Sequence, residues 1–523
     1  MNLLPTAESF VEPSVDWFAL TPIVIIFGAA IIGVLVEAFA PKGSRRFINI
    51  ALSLIAVVTA LVVVCLRWAG LQSGSSLVGE YIDDPLTAAT QAVLLLVAFV
   101  SLLVMADRSK VGDGAFAAQP SDRPGSSEEE LSMREDYQRS EIFPLVLFSL
   151  GGMMVFPAAN SLITLFVALE VMSLPLYVLA ATSRRRRQLS QEAGLKYFLL
   201  GAFASAFLLM GSALLYGFSG TVTISEIASA VPTMAGMDWA LVAGAFMVMV
   251  GLLFKIGAAP FHAWTPDVYT GAPTPVTGFM AAAVKAAAFG AMLRFYQTVA
   301  GQLEWDLAPI IMGVAALTMV IGTVVGLVQD DIKRLLAYSS IAHAGFILIA
   351  VLSLVKGSAG HVLFYILAYG LATVGAFGIV ALVRGKDSEG NIVGEATALD
   401  RWQGLGKKSP VLAGAMLVFL LSFAGIPLTA GFVGKFVVFS DGIAGEMAWL
   451  VGLALLCSVA TAFYYFKVAH MMFFKEPTEN SVAVRSEGFS AFAIAFCAAG
   501  TILLGIFPGP VLALLEKVVV VLP

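Results

Sequence analysis

Long apolar runs follow one another along the chain from about residue 18 to residue 508, separated by short polar or charged stretches. A helix needs about 20 apolar residues to cross the hydrocarbon layer of a bilayer. By that measure the pattern predicts about fourteen spans, at 18–40, 47–68, 85–106, 142–158, 160–182, 193–218, 239–272, 274–300, 306–328, 333–354, 360–383, 409–440, 446–472 and 488–508. The seventh and twelfth are too long for one straight crossing. One holds Gly257 and Pro260, the other Gly425 and Pro427. Proline removes a backbone donor and clashes with the preceding turn, so both read as broken helices. The expected fold class is an all-α polytopic membrane protein, a single membrane domain over 1–523. Its parts are an N-terminal three-helix segment (18–106), a polar cytoplasmic loop (107–141), two five-helix repeats (142–300 and 306–472) and a last transmembrane helix (488–508). The seventh span starts on the outer side and the twelfth on the cytoplasmic side. The two blocks therefore have opposite topology, the inverted-repeat plan of transporters.

The polar stretches test the count. Cytoplasmic loops carry the lysine and arginine excess, so alternate loops should be basic. Lys42, Arg45 and Arg46 follow the first span, whereas 69–84 holds Glu80, Asp83 and Asp84 and no basic residue. Arg108, Lys110, Arg123, Arg134 and Arg139 follow the third span, and Arg184 to Arg187 follow the fifth. Glu226 and Asp238 stand in 219–238, and Glu304 and Asp306 lie outside. Lys333 and Arg334, the basic stretch 384–408, and Lys475 with Arg485 lie inside, with Asp441 and Glu446 outside. Lys356 is the main exception. This alternation predicts an even number of spans with both termini on the non-cytoplasmic side.

Composition narrows the class. The chain is 59% hydrophobic and 12% charged, about half the charge of a soluble domain. Its net charge is −5 and it has no basic tract suited to nucleic acid. Cys65, Cys457 and Cys497 are far apart in apolar runs, which excludes zinc and iron–sulfur sites of the usual spacing. No dinucleotide fingerprint or phosphate-binding loop is present, so no redox cofactor, nucleotide or metal is expected on this chain. The acidic N-terminal stretch lacks the basic region of a signal peptide.

Charged residues inside the apolar runs are the candidate chemistry. A lysine at the bilayer centre costs about 2.5–3.5 kcal/mol even on the lenient insertion scale. Glu170 lies about 15 Å into the fifth span, too deep for a short side chain to reach an interface. Lys255 precedes the break of the seventh span, Lys285 is central in the eighth, and Lys435 follows the break of the twelfth, nearer the outer interface. Neither Lys255 nor Lys285 has a charged residue three or four positions away, so any partner comes from another helix. His343, below Tyr338, Ser339 and Ser340 in mid-span, His262 in the break APFHAWTPDVYTGAPTP, and Lys196 at the cytoplasmic start of the sixth span are secondary relay candidates. Glu37 and Arg67, close to span ends, read as interfacial anchors, and Arg294, Lys467 and His470 as structural. Desolvation favours loss of a lysine's proton, and a nearby carboxylate reverses this. A shift of three pKa units is about 4.1 kcal/mol, and moving one charge against about 150 mV costs about 3.5 kcal/mol. One ion pair opened and closed is thus of the size needed to drive one proton uphill. Sodium would call for hard oxygen ligands; the central lysines favour protons.

The motifs LFVALEVMSLPLYVL, GLLFKIGAAPFHAWTPDVYTGAPTPVTGFMAAAVKAAAFG, RLLAYSSIAHAGF and GIPLTAGFVGKF resemble the antiporter-like subunits of proton-pumping NADH:quinone oxidoreductase, respiratory complex I, and their relatives in multisubunit cation/proton antiporters. The resemblance covers about 142–472 and is most specific from Lys255 to Lys285. It implies that Glu170 and Lys255 pair between the fifth and seventh spans, that Lys285 is the central lysine, and that Lys435 is the terminal relay residue. Among the three types in that family, the chain is similar to the N type: it stops soon after its last span, without the L type's lateral helix, and has Lys435 where the M type has glutamate. The 107–141 loop is longer than that type implies. The implied function is proton translocation coupled to NADH-to-quinone electron transfer, with NADH, FMN, iron–sulfur clusters and quinone on other subunits. The implied partners are the other membrane and peripheral subunits of the complex, in a bacterial inner membrane. The alternative reading is a secondary Na⁺/H⁺ antiporter subunit.

Overall fold

A computed structural model of the protein describes residues 15–70, 73–77, 79–108, 115–116, 126–134, 140–184, 186–232, 236–386, 388–390, 392–486 and 488–521. The predicted N-terminal stretch and most of the 107–141 loop lie outside the described residues. Every predicted span is helical. The first six are Trp17–Phe39, Lys42–Ala69, Pro85–Ala106, Ile142–Val155, Leu162–Ala180 and Arg187–Ser219. The seventh is split into Asp238–Ile256 and Trp264–Gly271, and the eighth runs from Thr274 to Thr298. Next come Glu304–Leu327, Ile332–Leu352 and Ser358–Leu382. The twelfth is split into Pro410–Ala424 and Ala430–Ala444, followed by Ala448–Phe474 and Phe489–Ile506. Among the described residues, twelve helices are long and apolar enough to cross a membrane, and Ile142–Ala158 and Pro410–Ala424 are shorter apolar helices.

The most apolar 18-residue stretch of the eighth, tenth and eleventh spans is wholly buried. The outer spans instead leave large apolar side chains bare, among them Phe203, Met210, Val324, Leu456 and Phe463. Such a surface is unusual in water and natural against lipid. Polar groups on the three buried spans must therefore find partners inside the protein.

Both breaks use the same device. Gly257 ends the first half of the seventh span at φ +75°, and Gly425 ends that of the twelfth at φ +80°. Each sits in the left-handed region that a residue with a Cβ enters at a cost of about 1–2 kcal/mol. The carbonyls freed by a break need donors. In the seventh span Trp264 Nε1 donates to the Phe254 carbonyl at 2.9 Å. In the twelfth, Lys435 itself supplies the donor.

Short strands, not foreseen in the sequence, cap the two ends. β1 (Gly74–Ser76) pairs antiparallel with β2 (Tyr81–Asp83). β3 (Val383–Lys386) lies between β4 (Ile392–Glu395) and β5 (Ser481–Ala483), all antiparallel. These contacts sort the loops. The basic loops meet at one face: β3 with β5, Arg186 Nη1 with Thr397 at 2.9 Å, Lys467 with Asp330 at 2.9 Å, and Asp267 with both Lys196 at 2.7 Å and Arg334 at 2.8 Å. The acidic loops meet at the other: Asn160 Nδ2 donates to the Gly79 carbonyl at 3.0 Å, Gln302 Nε2 to Ala228 at 3.1 Å, and His361 pairs with Asp441 at 2.8 Å. The loops thus separate as the charge alternation requires.

One charge differs from its sequence reading. Arg67 is no interfacial anchor: it is 2% exposed and ion-paired with Asp83, because the β1–β2 hairpin folds that carboxylate over the end of the second span. Glu37 accepts from Asn49 Nδ2 at 2.6 Å and from the Ser140 hydroxyl, which ties together the ends of the first, second and fourth spans.

Candidate functional site

Lys255, Lys285 and Lys435 are 1%, 3% and 5% exposed. A snorkelling lysine shows its ammonium at an interface; these three do not.

Lys255 closes the first half of the seventh span and donates to Ser173 Oγ at 2.7 Å. Ser173 lies eleven residues beyond Leu162, about 16 Å along the fifth span, which places the ammonium deep within the bundle. The rings of Tyr177, Tyr197 and Phe254 lie 5.5–5.8 Å from Nζ, within cation–π range. Glu170, one turn before Ser173, is half-buried and accepts from Ser205 Oγ at 2.5 Å. The direct Glu170–Lys255 ion pair expected from the sequence is not among the ion pairs of the described residues. Ser173, the partner of Lys255, follows Glu170 by three positions on the same helix face and itself donates to the Leu169 carbonyl.

Lys285 stands eleven residues beyond Thr274, about 16 Å from the basic face. A π-helical turn, Met280–Val284, immediately precedes it; such turns are frequent at functional sites. The ammonium donates to the Ser340 carbonyl and lies 5.6 Å from the Tyr369 ring centroid. From the neighbouring residue a chain of polar groups begins. Ser339 Oγ meets Tyr465 OH at 2.5 Å, Tyr465 OH meets His343 Nε2 at 3.3 Å, and His343 Nδ1 meets Tyr365 OH at 2.8 Å. Tyr464 OH donates to Tyr465 OH at 3.5 Å. The tenth, eleventh and thirteenth spans thus bring one imidazole and several hydroxyls together beside Lys285.

Lys435 was expected nearer the outer interface. Its side chain instead reaches back into the break, donating to the carbonyls of Phe423 at 2.8 Å and Ala424 at 3.2 Å and to Ser458 Oγ at 2.8 Å. The freed carbonyls draw the ammonium inward, and its Nζ lies 5.1 Å from the Phe346 ring centroid. Phe346 is three residues past His343 in the tenth span. Ser458 and Tyr465 are seven residues apart on the thirteenth span, two helical turns on one face. That helix therefore contacts Lys435 at one level and His343 at another.

Of the secondary candidates, His343 belongs to this row, and Lys196 and His262 are placed elsewhere. Lys196 is at the basic face, paired with Glu192 and Asp267. His262 sits in the first break, half-buried, and its Nδ1 has no hydrogen-bond partner among the described residues. Sequence reasoning passed over Ser173, Ser458 and the tyrosines, although a hydroxyl within an apolar run, as in HVLFYILAYG and AFYYFK, is a usable signal. It also took Lys333 for a loop residue. Lys333 is 3% exposed and donates to the Ala272 carbonyl at the foot of the eighth span at 2.8 Å. Beside it, Thr274 donates to Glu395 at 3.2 Å and Arg384 lies 3.8 Å from that carboxylate. Burial pushes Glu395 up, but the Arg384 and Lys333 cations outweigh it and hold the carboxyl below its ordinary value.

Tyr465→Phe is expected to slow turnover about fivefold without reducing the amount of folded protein. It removes the hydroxyl that joins Ser339 to His343 and leaves the ring packing in place, a loss of about 1 kcal/mol. Turnover per unit of purified protein, against Tyr464→Phe as control, checks this; equal rates in the two variants would remove Tyr465 from the chain.

Among the described residues no three His, Cys, Asp or Glu side chains come together as a metal site. The arrangement of lysines, imidazole and hydroxyls suits transfer of protons between buried bases.

The family model described as NADH:quinone oxidoreductase/Mrp antiporter, transmembrane, matches residues 159–461. NADH-quinone oxidoreductase subunit N of Beutenbergia cavernae is 52% identical over 97% of this chain and 99% of its own length. Subunit N of Mycobacteroides abscessus is 47% identical over 97% of each. Among solved structures, a chain of respiratory complex I from Thermus thermophilus with bound aureothin is 32% identical, with TM-score 0.76 over 95% of this chain and 100% of that one. A chain of the Mrp complex from Dietzia, 20% identical with TM-score 0.77 over 95% of this chain and 96% of that one, shares the fold. Relatives of this identity support the oxidoreductase reading over the antiporter alternative, and the chain belongs to the subunit N family of NADH-quinone oxidoreductase.

Proposed function

We propose that this chain is a proton-translocating membrane subunit of a respiratory NADH-quinone oxidoreductase, and that Glu170, Lys255, Lys285, His343 and Lys435 carry the proton. The observation behind this is the row of three lysines held inside the bundle by carbonyls and hydroxyls, with Ser173, Ser339, Tyr465 and His343 between them. Each ammonium is retained where burial disfavours its charge, so a small change in a neighbouring charge alters its hold on the proton. Quinone reduction in another subunit perturbs Glu170 and Lys255 across Ser173, the proton passes to Lys285 and along the hydroxyl–imidazole chain, and Lys435 releases it. Lys196 and His262 serve on the cytoplasmic side. NADH, FMN, iron–sulfur clusters and quinone belong to other subunits of the complex.

The chain sits in the bacterial inner membrane with both termini on the non-cytoplasmic side. Residues 142–300 and 306–472 form two inverted repeats. Their breaks share a glycine cap at Gly257 and Gly425, which supports the correspondence. The 18–106 segment precedes them, 107–141 is a cytoplasmic loop, and 488–508 is the last crossing.

The test is proton translocation by the whole complex in sealed vesicles, with Glu170→Ala and Lys255→Ala compared with the parent. Each should lower NADH-driven proton uptake severalfold. Unchanged uptake in both variants would end the relay assignment.

A further inference from the structure

A groove of about 1570 Å³ runs between the first half of the twelfth span and the last span, beneath the β3–β5 pair. Its two ends differ in chemistry. At the rim stand Lys386, Lys408, Arg485 and Glu479, three cations against one carboxylate among its described lining residues. The Lys408 ammonium is anchored by the carbonyls of Thr478 and, at 2.8 Å, Ser481, and the Lys386 amide by the Asn480 carbonyl at 2.8 Å. Burial, then the Lys386 ammonium, lowers the proton affinity of Lys408, and Glu479 opposes this. The excess of cations at the rim attracts an anion. Away from the rim the walls are apolar and small: Gly414, Ala415 and Val418 on one helix, Ala491, Ala495 and Ala498 on the other. From Val411 to Val418 and from Ala491 to Ala498 the trough runs about 10 Å along the helix axes. Val411, at its mouth, is 81% exposed, so the trough opens sideways between two spans.

We infer that this groove binds one anionic phospholipid from the leaflet on the basic face, its phosphate at Lys386, Lys408 and Arg485 and its acyl chains in the trough. A basic pocket between spans with an apolar floor is complementary to an amphiphile with a negative head. A helix of another subunit is the rival occupant, because small residues also favour close helix packing; the net positive rim favours the lipid.

The test counts phospholipids, by class and per complex, in the assembled complex purified in mild detergent, using mass spectrometry. Lys386→Gln combined with Arg485→Gln should remove one anionic lipid per complex and leave zwitterionic lipids unchanged. Lys386→Arg combined with Arg485→Lys should keep it. Ala495→Trp, which fills the trough and spares the rim, should also remove it. As a second measurement on the unaltered complex, photoactivatable phosphatidylglycerol should label peptides from 410–418 and 489–498. An unchanged anionic count in the glutamine variant, loss in that variant but not in Ala495→Trp, labelling confined to other peptides, or crosslinking of the Ala495→Cys variant to a neighbouring subunit would each overturn the assignment.

Discussion

Lys285→Met is expected to lower NADH-driven proton translocation by the assembled complex at least tenfold, with no loss of assembly. Methionine keeps much of the length and apolar volume of the lysine stem, so packing against the eleventh span survives. It lacks the ammonium, whose hydrogen-bond partner is the Ser340 carbonyl. In the proposed relay, Lys285 joins Lys255 and Ser173 to Ser339, Tyr465 and His343. With the amine gone, a proton must cross the gap with no titratable group. A tenfold fall needs about 1.4 kcal/mol of added barrier, less than the cost of about 2.5–3.5 kcal/mol of placing the charge there at all. Removing that charge relieves a burial penalty, so stability should hold or rise while turnover falls. This opposition separates a working residue from a structural one. Proton uptake in sealed vesicles and the yield of intact complex are the two readouts, with Lys285→Arg, which keeps a cation, expected to retain assembly and part of the activity. Normal uptake by Lys285→Met would remove the central link.

The second large effect concerns stability. Arg294→Met should destabilise the protein by about 3–5 kcal/mol, because it strands a buried carboxylate. Arg294 and Asp84 are both fully buried and joined by two hydrogen bonds, at 2.8 and 3.1 Å. The guanidinium also donates to Thr87 at 2.9 Å and to the Pro157 carbonyl at 2.6 Å, and Asp84 accepts from the Val521 amide at 3.2 Å. One pair thus clamps the third, fourth and eighth spans and the C-terminal segment. Asp84→Asn should be nearly as damaging, since it leaves the arginine charge uncompensated. The double variant should recover part of the loss, because most of the penalty in each single variant is the orphaned partner. The midpoint of thermal unfolding and the yield of intact complex measure this. Near-parental values in both single variants would show that the clamp carries no stability.

Much of this was legible from residue order. Span positions follow from the length of apolar runs, a local quantity that packing does not change. Both breaks follow from a glycine and a proline within a run too long to cross once. The depths of Glu170, Lys255 and Lys285 follow from counting residues along a helix. What stayed hidden was every contact between distant helices. Tyr465 meets Ser339 and His343 across 126 and 122 residues, and Arg294 meets Asp84 across 210. Arg67 looked like an interfacial anchor because the hairpin that brings Asp83 over it is only a few residues long and carries no strong strand pattern. Lys435 looked closer to the outer side because counting locates the Cα, whereas the ammonium follows the freed carbonyls of Phe423 and Ala424.

By itself, then, the amino-acid order determined where the apolar helices lie, which loops share a face, where two helices break and which side chains pay a desolvation penalty. Hydrophobic transfer and backbone hydrogen bonding act on each segment alone, so those features need no knowledge of neighbours. Only the tertiary structure decided that Lys255 meets Ser173, that a tyrosine hydroxyl links Ser339 to His343, and that Lys435 turns inward. Those partners depend on how each helix is rotated against the next, and that rotation is fixed by the packing of all the spans together.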